Sequence, residues 1–349
     1  MALTVRIQKR RGDFFLDVDF SAEAGEALAL LGASGCGKSL TLQCIAGIDR
    51  PDAGRIEMDG QVLFDSAAGV NLPPQRRRMG LLFQNCALFP HRTVEGNITV
   101  CLRRPDKRKR TAELLALLHL EGQAGLYPRQ LSGGQQQRAA LARILAAEPR
   151  ALLLDEPFSA LDSFLKWQLE QELQEVLARF PGPVVWVSHD RGEVYRNCRR
   201  VCVLERGTSA PAADMAELMA NPVTVSAARL SGCRNFVPVR PGPAPGLVEV
   251  PAWGLTLRTA APWRKEVTAL GIRAGHVRPA EAGAVNAFPC QILRTVEDIS
   301  QILAALRPEG AASGAPLLWM ELSKDAWSAL PDRSRILAAV RPEDLMLLE

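Results

Sequence analysis

The sequence lacks most of what would tie a chain to a membrane interior, a metal cage or a nucleic acid. No apolar run reaches the roughly eighteen residues of a membrane-spanning helix. The amino-terminal stretch MALTVRIQKRRGD has no apolar signal-peptide core and soon turns charged, so the expectation is a chain that stays in the cytoplasm. Eight cysteines, at 36, 44, 86, 101, 198, 202, 233 and 290, include no C-x-x-C pair. They read as reduced thiols, mostly small core residues, rather than a zinc site or a disulfide framework. The formal net charge is only +4 over 349 residues, which gives no argument for a nucleic-acid binder. Two basic clusters, Arg76-Arg77-Arg78 and RRPDKRKR from Arg103 to Arg110, read as solvated faces. The remainder, 47% hydrophobic and 23% charged, is ordinary for a folded soluble protein and long enough for two or three domains.

What is present begins with Gly32-Ala33-Ser34-Gly35-Cys36-Gly37-Lys38-Ser39, which fits G-x-x-x-x-G-K-[ST]. EALALLG before it reads as a buried strand, and KSLTLQCIAGI after it has helical apolar spacing. Glycines let successive backbone N–H groups turn toward an anion, and the helix start adds the positive end of its dipole. In such a loop Lys38 reaches the β- and γ-phosphates of a nucleotide and the Ser39 hydroxyl holds Mg²⁺. Leu40 stands where many such loops carry a second hydroxyl.

A second chemical element is ALLLDEP, residues 151 to 157. Its continuous apolar run suits a strand covered on both faces of a parallel sheet, and ligands of such sheets lie beyond the carboxyl ends of the strands. Asp155 is placed there to bind Mg²⁺, directly or through water, and Glu156 to orient and deprotonate an attacking water.

Residues 131 to 138 read LSGGQQQR, and here the sequence resembles the ATP-binding cassette (ABC) family, whose signature is L-S-G-G-Q. Physically the stretch is a second phosphate cradle: Ser132 is a helix N-cap residue, Gly133 and Gly134 leave backbone N–H groups open, and Gln135 begins a long helical run. The resemblance implies a head-to-tail homodimer with ATP between the phosphate loop of one subunit and the signature of the other. Further residues match family elements in order. Gln84, in LLFQN, resembles the glutamine that senses Mg²⁺ and water and connects to a membrane permease. Ser159 to Asp162, SALD, resembles the interface loop. His189, in VVWVSHD, resembles the switch histidine at the γ-phosphate. The stretch of about 86–148, with Leu114, Leu115, Leu117, Leu118 and Leu120 on one helical face, resembles the family's α-helical subdomain. For the adenine-stacking aromatic, Lys9 to Arg11 stand near the family position and Phe14 and Phe15 follow. The alternation in FFLDVDF makes both rings core residues first and base contacts second.

The expected fold is therefore α/β, a P-loop cassette over residues 1–220 with its helical subdomain, a linker at 221–232, and a small all-β OB-like domain of the molybdenum-binding (TOBE) type over 233–349. In that last part, Pro- and Gly-rich text and short strands with turn signals suggest two related half-units. RNFVPV (234–239) is echoed by NAFPCQI (286–292), and ALGIRAGHVRPA (269–280) by ILAAVRPEDLML (336–347). A cassette with such a tail resembles the importer subfamily. The stretches VLFDSAAGVNLPPQRRR and LFPHRTVEGNI look most like molybdate-importer ATPases, with sulfate importers close. Arg234-Asn235 preserves part of an anion-binding S-x-R-N stretch, but the second copy, Ala284-Val285-Asn286, has no Arg, so the tail is expected to be structural or dimerising. The resemblance implies an ATP- and Mg²⁺-dependent ATPase at the cytoplasmic face of the membrane, partnered by permease subunits and indirectly by an extracytoplasmic oxyanion-binding protein. Sulfate or thiosulfate is the alternative cargo, and a soluble ABC ATPase acting on nucleic acid or ribosomes is a more distant one.

Overall fold

The computed structural model of the chain describes residues 1–102, 105–159 and 163–349, the side chains of Ser163 and Phe164 excepted. Asp162, Arg103 and Arg104 therefore lie outside the described residues. The chain divides into two compact units, Met1–Ala216 and Glu217–Glu349. No helix among the described residues is long and apolar enough to cross a membrane.

The first unit is built on five short parallel strands, paired in the order Arg200–Glu205, Ala27–Leu31, Val184–Ser188, Ala151–Asp155 and Met79–Leu82. Four of them read as near-continuous runs of Val, Leu and Ala, and Leu28, Leu152, Leu153, Val185, Trp186 and Val201 are fully buried, as a sheet covered on both faces requires. An antiparallel sheet carries on from it: Ala2–Arg11 pairs with Phe14–Glu23 and with Ala53–Met58, which pairs with Gln61–Asp65. Alternation sets the faces here. Leu16, Val18 and Phe20 are buried and Phe14 packs against the same core, whereas Phe15 is 40% exposed beneath the Arg10 guanidinium. The expectation that both rings serve the core thus holds for Phe14 and not for Phe15, because one residue of offset reverses the face. Helices Val94–Thr99, Lys107–Leu117 and Gly133–Ala146 follow between the sheet strands; Leu114 and Leu115 are buried from the second, and Leu118 and Leu120 are buried just past its end rather than on its face.

The triplet Arg76-Arg77-Arg78 is not wholly a solvated face. Arg77 is completely buried, donating to the carbonyls of Cys44 and Ile45 at 2.7 and 2.9 Å, to Leu72 O at 2.8 Å and to Asn71 Oδ1 at 2.8 Å. It satisfies the open carbonyls at the carboxyl end of the helix Lys38–Ala46, where a cation also suits the helix dipole.

The second unit carries helix Val225–Leu230, inside the stretch 221–232, and continues as strands in three sheets that form a nearly closed, OB-like barrel. One arrangement occurs twice. Asn235–Pro238 pairs with Ala269–Ile272 so that Phe236 faces Gly271, and Ala287–Glu297 pairs with Arg335–Ala339 so that Ala287 faces Ala339. Each half then lends its final strand to the other: Leu345–Leu348 pairs with Ala269–Ile272, and Arg278–Pro279 with Arg335–Ala339. Two asparagines stitch the halves in the same way. Asn235 exchanges bonds with the backbone N–H and carbonyl of Trp319 (2.6 and 2.9 Å) and donates to Ile272 O at 3.1 Å. Asn286 does the same with Arg258 (2.7 and 2.8 Å) and with Val340 O at 3.0 Å.

Candidate active site

Four adjacent parallel strands deliver the expected site residues from their carboxyl ends, where ligands of open α/β sheets bind. Ala27–Leu31 leads into the glycine loop, Val184–Ser188 into His189, Ala151–Asp155 into Glu156, and Met79–Leu82 into Gln84. The cavity above the loop holds about 460 Å³, and Ser34, Gly35, Gly37, Lys38, Ser39, Gln84 and Glu156 all line it.

The loop depends on its glycines. Gly35 and Gly37 have φ of 79° and 107°, in the region L side chains avoid. A Cβ on Gly32 would drive into the carbonyl of Leu204 and the Cys36 sulfur. Lys38 opens the helix Lys38–Ala46, and its Nζ donates across the loop to Gly32 O at 2.8 Å and Ala33 O at 2.9 Å. The Cys36 side chain is buried with its sulfur 3.8 Å from that ammonium, so this residue can meet a ligand through its backbone only. Leu40 is also largely buried.

Ser39 Oγ donates to Asp155 Oδ1 at 2.9 Å. Burial pushes the Asp155 carboxyl above its ordinary pKa; the Ser39 hydrogen bond opposes this, the neighbouring Glu156 charge reinforces it and Lys38 counters it. Among the described residues no three His, Cys, Asp or Glu side chains cluster to form a metal cage. A hydroxyl and a carboxylate side by side, with phosphate space above, instead suit Mg²⁺, which keeps waters and substrate oxygens as ligands.

Glu156 leaves its strand with a φ of 47°, a costly conformation for a residue with a side chain, and its N–H donates to Val187 O at 2.9 Å. Its carboxylate reaches His189 Nδ1 at 3.2 Å, and its carbonyl accepts from Ser159 Oγ at 3.2 Å. Ser159 Oγ in turn accepts from Gln84 Nε2 at 3.3 Å. Gln84, Ser159, Glu156 and His189 are therefore one connected polar set. Following Gln84, Cys86 and Ala87 both have positive φ, and Arg143 holds their carbonyls at 3.3 and 2.5 Å from the helix Gly133–Ala146.

That helix begins with the signature. Ser132 Oγ accepts from Gln135 N at 3.4 Å while Gln135 Oε1 accepts from Ser132 N at 2.9 Å, a reciprocal cap that leaves the N–H groups of Gly133 and Gly134 open. Ser132, Gly133, Gly134 and Gln135 do not line the cavity above this chain's own phosphate loop. Arg11 and Phe14 do line it, whereas Lys9 does not: its ammonium is held by Arg50 O at 2.8 Å, Asp49 at 3.2 Å and Asp52 at 3.4 Å.

The ABC transporter family profile matches residues 15–159. The chain is 38% identical over 322 residues to a sulfate/thiosulfate import ATP-binding protein of Chromobacterium violaceum, a match spanning 88% of this chain and 84% of that one. The chain belongs to the ABC family. The ABC chain is also 40% identical over 223 residues to the molybdenum import ATP-binding protein of Paramagnetospirillum magneticum, and 44% identical over 226 residues to that of Mycobacterium tuberculosis. Those matches span 63% and 62% of this chain and only 61% of each relative's own length. Among solved structures, the dimeric post-hydrolysis cassette MJ0796 bound to ADP and Pi superposes on this ABC chain with a TM-score of 0.53 and 30% identity, covering 62% of this chain and 99% of that one.

Within the ABC frame, the motif residues were readable from the sequence. Three further residues brace the segments that carry the motifs: Lys166 and Asp190, which pair next to His189, and Arg143, which holds the segment after Gln84. Nothing in the local sequence marks them, because each works through a partner at least 24 positions away.

Proposed function

We propose that the chain is the ATP-hydrolysing subunit of an importer for an oxyanion, molybdate first. The observation that carries the reading is one cavity lined by the glycine loop, by Ser39, which is bonded to Asp155, and by Glu156, which contacts His189. Lys38 and the loop N–H groups would bind the phosphates, and Ser39 and Asp155, with Gln84 nearby, would hold Mg²⁺, which neutralises phosphate charge. Glu156 would take the proton of the attacking water, and His189 would orient Glu156 and face the γ-phosphate. Arg11 and Phe14 would flank the base.

The signature residues do not line this chain's own cavity, which favours a second subunit closing the site, and the dimeric form of the MJ0796 cassette supports that reading. Asp162 would lie at the same interface. Closure of the two subunits on ATP would move permease helices docked near Gln84 and open the permease toward an external binding protein; hydrolysis would reset it. The chain would then sit at the cytoplasmic face of the membrane without entering it. Molybdate is favoured by the names of the molybdenum import relatives. Sulfate or thiosulfate is the second reading, favoured by a relative whose match extends over 88% of this chain.

In the C-terminal domain Asn235 is fully engaged with backbone groups, which supports a structural role over an anion site. The test is cellular molybdenum at trace external molybdate, by elemental mass spectrometry, in cells carrying the wild-type chain or Glu156→Gln, with sulfate uptake measured in the same cultures. Loss of molybdenum with sulfate uptake retained is the expected result. Loss of sulfate uptake alone would move the cargo to sulfate, and no change in either would remove the importer reading.

A further inference from the structure

Behind the Glu156–His189 contact lies a set of paired charges that the proposed chemistry does not use. Lys166, on the helix Ser163–Ala178, places its Nζ 2.5 Å from Asp190 Oδ2 and 3.1 Å from Glu193 Oε2. Glu193 is buried, and its other oxygen accepts from Trp186 Nε1 at 2.8 Å. Trp186 meets Phe158 edge-on at 5.7 Å, two residues beyond Glu156. Asp190 is fixed by its other oxygen as well, which caps the helix Arg191–Asn197 by accepting from Gly192 N and Glu193 N at 2.9 and 3.2 Å. Its own N–H donates to Ser188 Oγ at 3.0 Å.

His189 sits between Ser188 and Asp190. Its side chain is 64% exposed, and the contact the structure gives its ring is Glu156. An imidazole so little packed takes its position from the backbone that carries it, and that backbone is anchored through Asp190. Burial pushes the Glu193 carboxyl up, and Lys166 is the cation that opposes this. Without the ammonium, two carboxyl groups would be left facing each other beside the switch segment.

We propose that Lys166 is a positioning residue for the ATPase reaction: by clamping Asp190 and Glu193 it holds the His189 backbone so that the imidazole stays on Glu156. The clamp also ties the switch histidine to the helix that directly follows Ser159 to Asp162, the expected interface loop. Lys166 does not line the cavity above the phosphate loop, so it acts on the reaction through the segment it anchors. This inference rests on the proposed ATPase function.

The experiment is steady-state ATP hydrolysis by the full chain, comparing wild type, Lys166→Met and Lys166→Arg, each with and without His189→Ala. Lys166→Met should lower kcat about tenfold, equivalent to about 1.4 kcal/mol, and leave KM for ATP within about twofold. Lys166→Arg should recover most of the rate. In the His189→Ala background Lys166→Met should cost nothing further, since both changes remove the same interaction. An equal loss in both backgrounds would overturn the proposal, as would an unchanged kcat, or a loss that follows thermal stability and is not rescued by Arg. Should Lys166→Met fail to fold, Asp190→Asn keeps an equally good helix cap, removes only the pairing charge and carries the same expectation. The wild-type rate, read alongside, tests the ATPase reading separately from the clamp.

Discussion

Asp155→Asn should make the nucleotide-free chain more stable at neutral pH while abolishing Mg²⁺-dependent ATP binding. Asp155 is a half-buried carboxylate with one side-chain hydrogen bond, from Ser39, and a second carboxylate, Glu156, next in the chain. The nearby cation, Lys38, is already turned to the carbonyls of Gly32 and Ala33. A charged group that exchanges its water for so few protein partners costs on the order of 1–3 kcal/mol. Asparagine keeps the shape and an acceptor for Ser39 but carries no charge, so most of that cost should disappear. For a unit of this size each kcal/mol corresponds to roughly 2–4 °C in Tm.

The pH dependence follows from the upward shift of the Asp155 carboxyl. A carboxyl whose folded pKa lies above its unfolded value disfavours the fold once ionised, and the penalty vanishes below the unfolded pKa. The advantage of Asp155→Asn should therefore be full at pH 7 to 8 and shrink as pH falls through the raised pKa toward the ordinary carboxylate range. Differential scanning fluorimetry of both proteins without nucleotide, in matched buffers across that range, reads it directly. A Tm for Asp155→Asn equal to or below wild type at neutral pH, or a difference independent of pH, would refute the argument that the carboxylate is held at a cost.

Three further outcomes are expected. Glu156→Gln should retain ATP binding, trap the closed dimer and lower turnover by roughly 10²–10⁴-fold; hydrolysis at the wild-type rate would remove Glu156 from the role of base. Phe14→Ala should weaken ATP binding roughly tenfold, since base–aromatic stacking contributes about 1–3 kcal/mol; titration with a fluorescent ATP analogue checks this, and unchanged affinity would leave the base to Arg11. In the second unit, Asn235→Ala should destabilise by about 3 kcal/mol, because it strands buried backbone partners, while the less buried Asn286→Ala should cost about 1 kcal/mol. Hydrogen exchange of the strands in Glu217–Glu349 separates the two, and equal losses would contradict the weight given to burial.

The parts of the site that were legible in the sequence are those whose chemistry is local. Gly32 to Ser39 must be a turn of bare backbone ahead of a helix, and Asp155-Glu156 must end an apolar run, so a few adjacent residues suffice to announce each. Apolar runs also pointed to buried strands. They could not tell that the strands ending in Leu31, Ser188, Asp155 and Leu82 stand side by side, because order in a parallel sheet is set by crossovers. Side chains with distant partners were hidden for the same reason. Arg77 looks like its neighbours Arg76 and Arg78, and only the carbonyls of Cys44 and Ile45 distinguish it. Lys9 stands near the expected base position in sequence, yet Asp49 and Asp52 hold it elsewhere. Phe14 and Phe15 are adjacent, and strand alternation sends one to the core and cavity and the other to solvent.

The exchange of final strands in the second unit bears on how the chain is made. Strand Ala269–Ile272 needs Leu345–Leu348 on one side, more than seventy positions later in synthesis. The first half-unit therefore waits, with one edge open, until the second has been synthesised, whereas the Met1–Ala216 unit has all its strand partners by then. While residues 217 to 349 are being made, a ribosome carrying this chain should hold a finished cassette and an unfinished barrel. During that interval the open edge of Ala269–Ile272 is the place where a chaperone, or a neighbouring nascent chain, would find a strand to pair with.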